Sequence, residues 1–135
     1  MRLIKALALF ALICGASGCG SGGKGSFVPS PLLGTWIVRS IQTPGTPALT
    51  CPATLPVGEY KEYCGPSDGD VYHDDGTYTN LPSGARGIYR LAGNALTITI
   101  RGLNIQPITI DLQGNTLKKT IHYEEDVVIY TLQKQ

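Results

Sequence analysis

Charge is scarce in this sequence. Only 16% of its 135 residues are Asp, Glu, Lys or Arg, against the usual quarter. The balance is nearly neutral at +1, which excludes a generic basic nucleic-acid binder and a charged disordered tail. Histidine occurs twice and tryptophan once. The sequence contains no phosphate-binding loop, no H-E-x-x-H and no C-x-x-C pair, so the common nucleotide, zinc-protease and dithiol signatures are missing. Beyond residue 30 no stretch shows ten residues of 3.6-residue periodicity with helix caps. Glycine, at 17, and proline, at nine, are plentiful instead. A chain of this length, rich in turn residues and poor in charge, is expected to form one small all-β domain.

The first residues read as an address. Met1-Arg2-Leu3-Ile4-Lys5 is a basic start, and Ala6 to Ile13 is an unbroken apolar run. That run is too short to span a bilayer, which takes about 20 residues, and suits a secretory signal peptide. Ala16-Ser17-Gly18-Cys19 follows. Small residues directly before a cysteine resemble the bacterial lipobox. The resemblance implies cleavage before Cys19 and lipidation of that residue. Cys14 is a poorer candidate, because bulky Ile13 precedes it. Gly20 to Ser26 is nearly all Gly and Ser, a flexible tether. Gly20, rather than Asp, after the cysteine resembles the outer-membrane sorting signal of Gram-negative cells. The expected organisation is therefore a signal peptide over 1–18, a lipidated cysteine and tether over 19–30, and a folded domain over 31–135. The expected location is the cell envelope, with the membrane reached through the lipid.

Cys51 and Cys64 then remain as a single pair. In an exported chain they are expected to form a disulfide. Closing a loop of this length contributes about 3 kcal/mol in the chain-entropy treatment. Residues 43–68 otherwise read mostly as loop, with a short strand between Val57 and Tyr63.

The rest reads as a meander. Leu33 to Gln42 is β-branched and ends at Thr43-Pro44-Gly45. Asp74-Asp75-Gly76 separates two β-prone runs, a strong hairpin signal. Leu81-Pro82-Ser83-Gly84, Ala92-Gly93-Asn94, Gln113-Gly114-Asn115 and Glu124-Glu125-Asp126 mark further turns. Leu96, Ile98 and Ile100 alternate with Thr97 and Thr99, and Ile108, Ile110 and Leu112 alternate with Thr109 and Asp111. This period of two marks strands with one face buried. Lys119 is the one polar intruder on the face shared by Leu117, Ile121 and Tyr123. About eight antiparallel strands are expected. Closure into an up-and-down barrel would remove both sheet edges.

Leu32-Leu33-Gly34-Thr35-Trp36-Ile37-Val38 resembles the G-x-W start of lipocalins and of short bacterial lipocalin-like domains. The strand-and-turn rhythm of residues 32–133 is similar. The resemblance implies a small barrel with Trp36 at its closed end. Many lipocalins stack a basic residue near the last strand on that Trp. Here Val127 to Leu132 holds no Arg, and only Lys134 follows.

No catalytic constellation is evident. His73 and Asp74 are strand neighbours that point to opposite faces, and Asp74-Asp75-Gly76 is explained by turn chemistry. His122 falls on the wet face. Counting back from Gly76, the Asp residues do not match a calcium loop. A non-enzymatic protein without metal or cofactor is expected. Two functions remain open. One is a carrier whose cavity, lined by Trp36, Tyr89, Leu96, Ile98 and Ile110, takes a small apolar molecule or lipid. The other is a barrel with a filled core that acts through its outer surface as a protein-binding or inhibitor module, with an envelope protein as partner.

Overall fold

The computed structural model describes residues 30–135 and contains twelve strands and no helix among them. The expected signal peptide, Cys19 and all of the expected tether but Ser30 lie outside these residues. In chain order the strands are β1 (Gly34–Gln42), β2 (Leu49–Thr50), β3 (Ala53–Val57), β4 (Tyr60–Cys64), β5 (Gly69–Tyr72) and β6 (Thr77–Leu81), then β7 (Arg86–Ala92), β8 (Ala95–Ile100), β9 (Leu103–Asn104), β10 (Ile108–Gln113), β11 (Thr116–Tyr123) and β12 (Asp126–Lys134).

Eight of them close an antiparallel barrel in the order β1-β5-β6-β7-β8-β10-β11-β12, with β12 returning to β1. Each strand pairs with its neighbour along this series, so the barrel is up-and-down, as the alternating pattern predicts. β2 hangs on β1 and β9 on β8, while β3 and β4 form a separate hairpin. The turns fall where the sequence marks them. At the β5–β6 turn Gly76 takes φ +83°, a conformation other residues rarely adopt. Asp75 accepts hydrogen bonds there from the Thr77 amide at 2.9 Å and the Thr77 hydroxyl at 2.6 Å.

The register turns the apolar positions inward. Leu117 lies opposite Leu132 and Ile121 opposite Val128. A bulge between Val38 and Ser40 shifts the β1 register by one residue, which returns Ile41 to the buried face. The bulged Arg39 also accepts from the Cys51 amide at 2.9 Å. Gly69 sits where β5 crosses β1. A Cβ on it would come within 2.2 Å of the Trp36 carbonyl oxygen, so only glycine permits this approach.

One end of the barrel is sealed. Trp36 is fully buried, and its indole Nε1–H donates to the Leu32 carbonyl at 2.7 Å. β12 runs to Lys134, two residues past the expected end at Leu132. That extension places the Lys134 ammonium over the Trp36 ring, 5.5 Å from its centroid. Lys134 thus covers Trp36 from the end of the last strand.

The loop expected over 43–68 is in large part structured. The β3–β4 hairpin pairs Ala53 with Cys64 through Val57 with Tyr60. The expected short strand at Val57–Tyr63 is corrected to its second arm and the turn, Pro56 standing within the first. Pro is tolerated there because the ribbon has only two strands and a free edge. The Cys51–Cys64 disulfide is present, with 5.5 Å between Cα atoms. Leu55 and Val57 are buried against the barrel.

Candidate ligand-binding site

Lys119 enters the barrel from β11 because it occupies an inward position between Leu117 and Ile121. A buried ammonium needs an opposite charge. Asp70 of β5 supplies it across the interior, and both side chains are almost fully buried. Asp70 also accepts from the Tyr72 hydroxyl at 3.2 Å and from the Tyr78 hydroxyl. Its two oxygens therefore hold three donors, an ammonium and two phenols. Among the described residues no buried side-chain nitrogen or oxygen lacks a partner.

The tyrosines are held as donors. Burial first, and the Asp70 charge second, push the Tyr72 and Tyr78 hydroxyls well above their ordinary pKa. Tyr130, opposite Lys119 on β12, is raised by burial and by its hydrogen bond to Glu62. Phenols that resist ionisation donate hydrogen bonds and do not act as bases. The Lys119 ammonium lies 5.7 Å from the centroid of the Tyr130 ring, within cation–π range. Tyr72 packs edge-to-face on Tyr89, with centroids 5.0 Å apart.

Above this ion pair the interior is not filled. A recess of about 300 Å³ lies between the barrel wall and the β3–β4 hairpin. Its apolar walls include Val38, Ile98, Ile105, Ile108 and Ile121, and Lys119, Asp70, Tyr78, Asn80 and Tyr130 supply polar groups. Glu62 and Asp68 add carboxylates from the hairpin and the segment that follows it. The volume stands at the small end of ligand pockets and equals that of about ten waters.

The structure disperses the residues expected to line a cavity. Ile98 reaches the recess. Trp36 is buried beneath Leu32 and Lys134. Tyr89 spends its hydroxyl on the His73 carbonyl at 3.0 Å. Leu96 lies beside a separate hollow with Pro107 and Ile108. Ile110 is buried opposite Lys119. Among the polar groups of the recess Lys119 gave the clearest signal in the sequence, a break in an apolar alternation. His122 is exposed, as its alternation implies, and His73 is exposed with Nε2 3.1 Å from the Thr79 hydroxyl. Among the described residues, no group of three or more His, Cys, Asp or Glu is placed to hold a metal ion.

No family model matches the chain, and no curated protein is similar to it. The solved structure of an uncharacterized protein from Bacteroides eggerthii DSM 20697 is similar over 77% of this chain and 99% of that one, at 13% identity and a TM-score of 0.41.

Proposed function

We propose that this chain is a non-enzymatic, lipid-anchored envelope protein whose lipocalin-like barrel binds one small, largely apolar ligand. The recess above the Asp70–Lys119 pair carries this reading: a hollow of about 300 Å³ between the barrel wall and the β3–β4 hairpin, walled by isoleucines and by polar groups in about equal measure. The anchor rests on the lipobox-like Ala16-Ser17-Gly18-Cys19 and the Gly/Ser tether behind it. Acyl chains on Cys19 would hold the protein on a membrane, since each buried CH₂ contributes about 0.8 kcal/mol. Recognition of an envelope protein is the second reading. It is favoured by the exposure of Tyr63, Ile88 and Leu103 on the outer surface.

Native mass spectrometry of the full chain, released from detergent micelles, tests both parts. The expected spectrum carries two additions to the polypeptide. A covalent acyl mass survives denaturation and is absent after Cys19→Ser, while globomycin treatment leaves residues 1–18 attached. A second mass leaves on denaturation and names the ligand class. A lipidated chain that stays otherwise bare across growth conditions would overturn the carrier and favour the outer-surface reading. Processing unaffected by either treatment would overturn the anchor.

A further inference from the structure

We propose that the recess selects its ligand through a single uncharged hydrogen-bond acceptor, held by Lys119, and therefore takes a small ester, ketone or amide rather than a fatty-acid anion. The inference rests on the reading of the recess as a binding site. An ammonium carries three donors, and among the described residues Asp70 is the one acceptor that Lys119 meets. Lys119 also lines the recess, so its spare donors are available to a ligand there. The Tyr63 and Tyr123 hydroxyls also border the recess, from an exposed and a half-buried residue, whereas the polar groups nearest Lys119 are committed. Tyr78 donates to Asp70, Tyr130 donates to Glu62, and Asp70 already accepts from three groups. Lys119 is thus the buried, charged donor of the site with protons to spare.

Charge decides what kind of acceptor it takes. Asp70, Glu62 and Asp68 bring three carboxylates to the recess, against the one ammonium of Lys119. A ligand carboxylate would meet this excess of like charge at short range. A ligand cation would be drawn to the carboxylates, but Lys119 repels it at the polar end and cannot hold it by a hydrogen bond. A neutral carbonyl avoids both penalties and leaves the Asp70–Lys119 pair intact. The apolar body then lies against Ile98, Ile105, Ile108 and Ile121, where it displaces water.

The test uses the full chain in detergent micelles and four probes of nearly equal size: methyl heptanoate, octanoate, octylamine and nonane. Saturable binding above the empty-micelle background is measured by calorimetry. Methyl heptanoate is expected to bind about ten-fold more tightly than the other three, as suits one hydrogen bond to a charged donor. Lys119→Met should abolish that preference. Because this change strands Asp70 in the interior, the double variant Lys119→Met/Asp70→Asn is measured beside it, which removes both charges and spares the fold. Retention of the preference in the double variant would overturn the proposal. So would octanoate, octylamine or nonane binding as well as the ester, which would leave a carrier that does not read a carbonyl. No saturable binding of any probe would count against the recess as a site altogether.

Discussion

Three tyrosine hydroxyls set an alkaline limit on the fold. Tyr72, Tyr78 and Tyr130 are buried against carboxylates, and each is held above the ordinary phenol value of about 10. In the unfolded chain they ionise near that value, while in the barrel they keep their protons. Above about pH 10 the folded state therefore binds more protons than the unfolded state, and stability falls as pH rises. The contribution of these groups is fully present below that pH. Each tyrosine can add a slope of about 1.4 kcal/mol per pH unit. Urea denaturation between pH 9 and 11.5 is expected to show a loss that steepens above pH 10, and Tyr78→Phe or Tyr130→Phe should flatten it. An identical slope in both variants would refute the assignment. At this scale the sequence was half legible. Lys119 betrayed itself by standing where Leu117 and Ile121 alternate. Its partner Asp70 did not, because it lies 49 residues away in a run of acids that reads equally well as turn chemistry.

The β3–β4 hairpin is held to the barrel by side chains rather than by a continuous ladder. Leu55 and Val57 are buried beneath it. Glu62 accepts from Tyr130, and Tyr60 meets Tyr123 edge-to-face at 6.2 Å. A two-stranded ribbon is marginal alone, so the Cys51–Cys64 crosslink at its base matters. Replacing both cysteines with serine is expected to cost about 3 kcal/mol. Hydrogen exchange should locate the loosening in residues 53–64, which form one wall of the recess. An unchanged denaturation midpoint would show that packing alone holds the hairpin. The crosslink was readable from export and from the spare pair of cysteines. The first arm of the hairpin was not, since Pro52, Pro56 and Gly58 carry the local marks of a loop. Burial of Leu55 and Val57 against a distant surface overrides those marks, and that surface exists only once the barrel has formed. β12 shows the same effect at its end, where Trp36 gives Lys134 a reason to stay in the strand.

Across the whole molecule, the barrel is only as closed as its weakest pairing. β11 and β12 are joined by eight residue pairs, whereas β8 and β10 share two, Leu96 with Ile108 and Ala95 with Thr109. Each other neighbouring pair in the barrel is joined across a hairpin or, for β1, by longer pairing with β5 and β12. Alternation and turns made the eight-strand meander legible, but not this seam. β8 and β10 carry the same apolar-polar alternation, which several registers would satisfy. The seam closes after the chain has made the excursion through β9 and Pro107. Local opening follows the regions with fewest bonds and least buried surface. Amide exchange is therefore expected to be fastest, among the barrel strands, at the facing edges of β8 and β10, and slowest between β11 and β12. The seam also borders the recess, since Ile98, Ile105 and Ile108 line it. Under the proposed carrier function, its opening would give a ligand a way in that leaves the Trp36 end sealed. Methyl heptanoate, bound against those isoleucines, should then slow exchange at the seam while leaving the β11–β12 pairing unchanged. Uniform exchange around the barrel, or slowing confined to the β3–β4 hairpin, would show that the hairpin and not the seam is the gate.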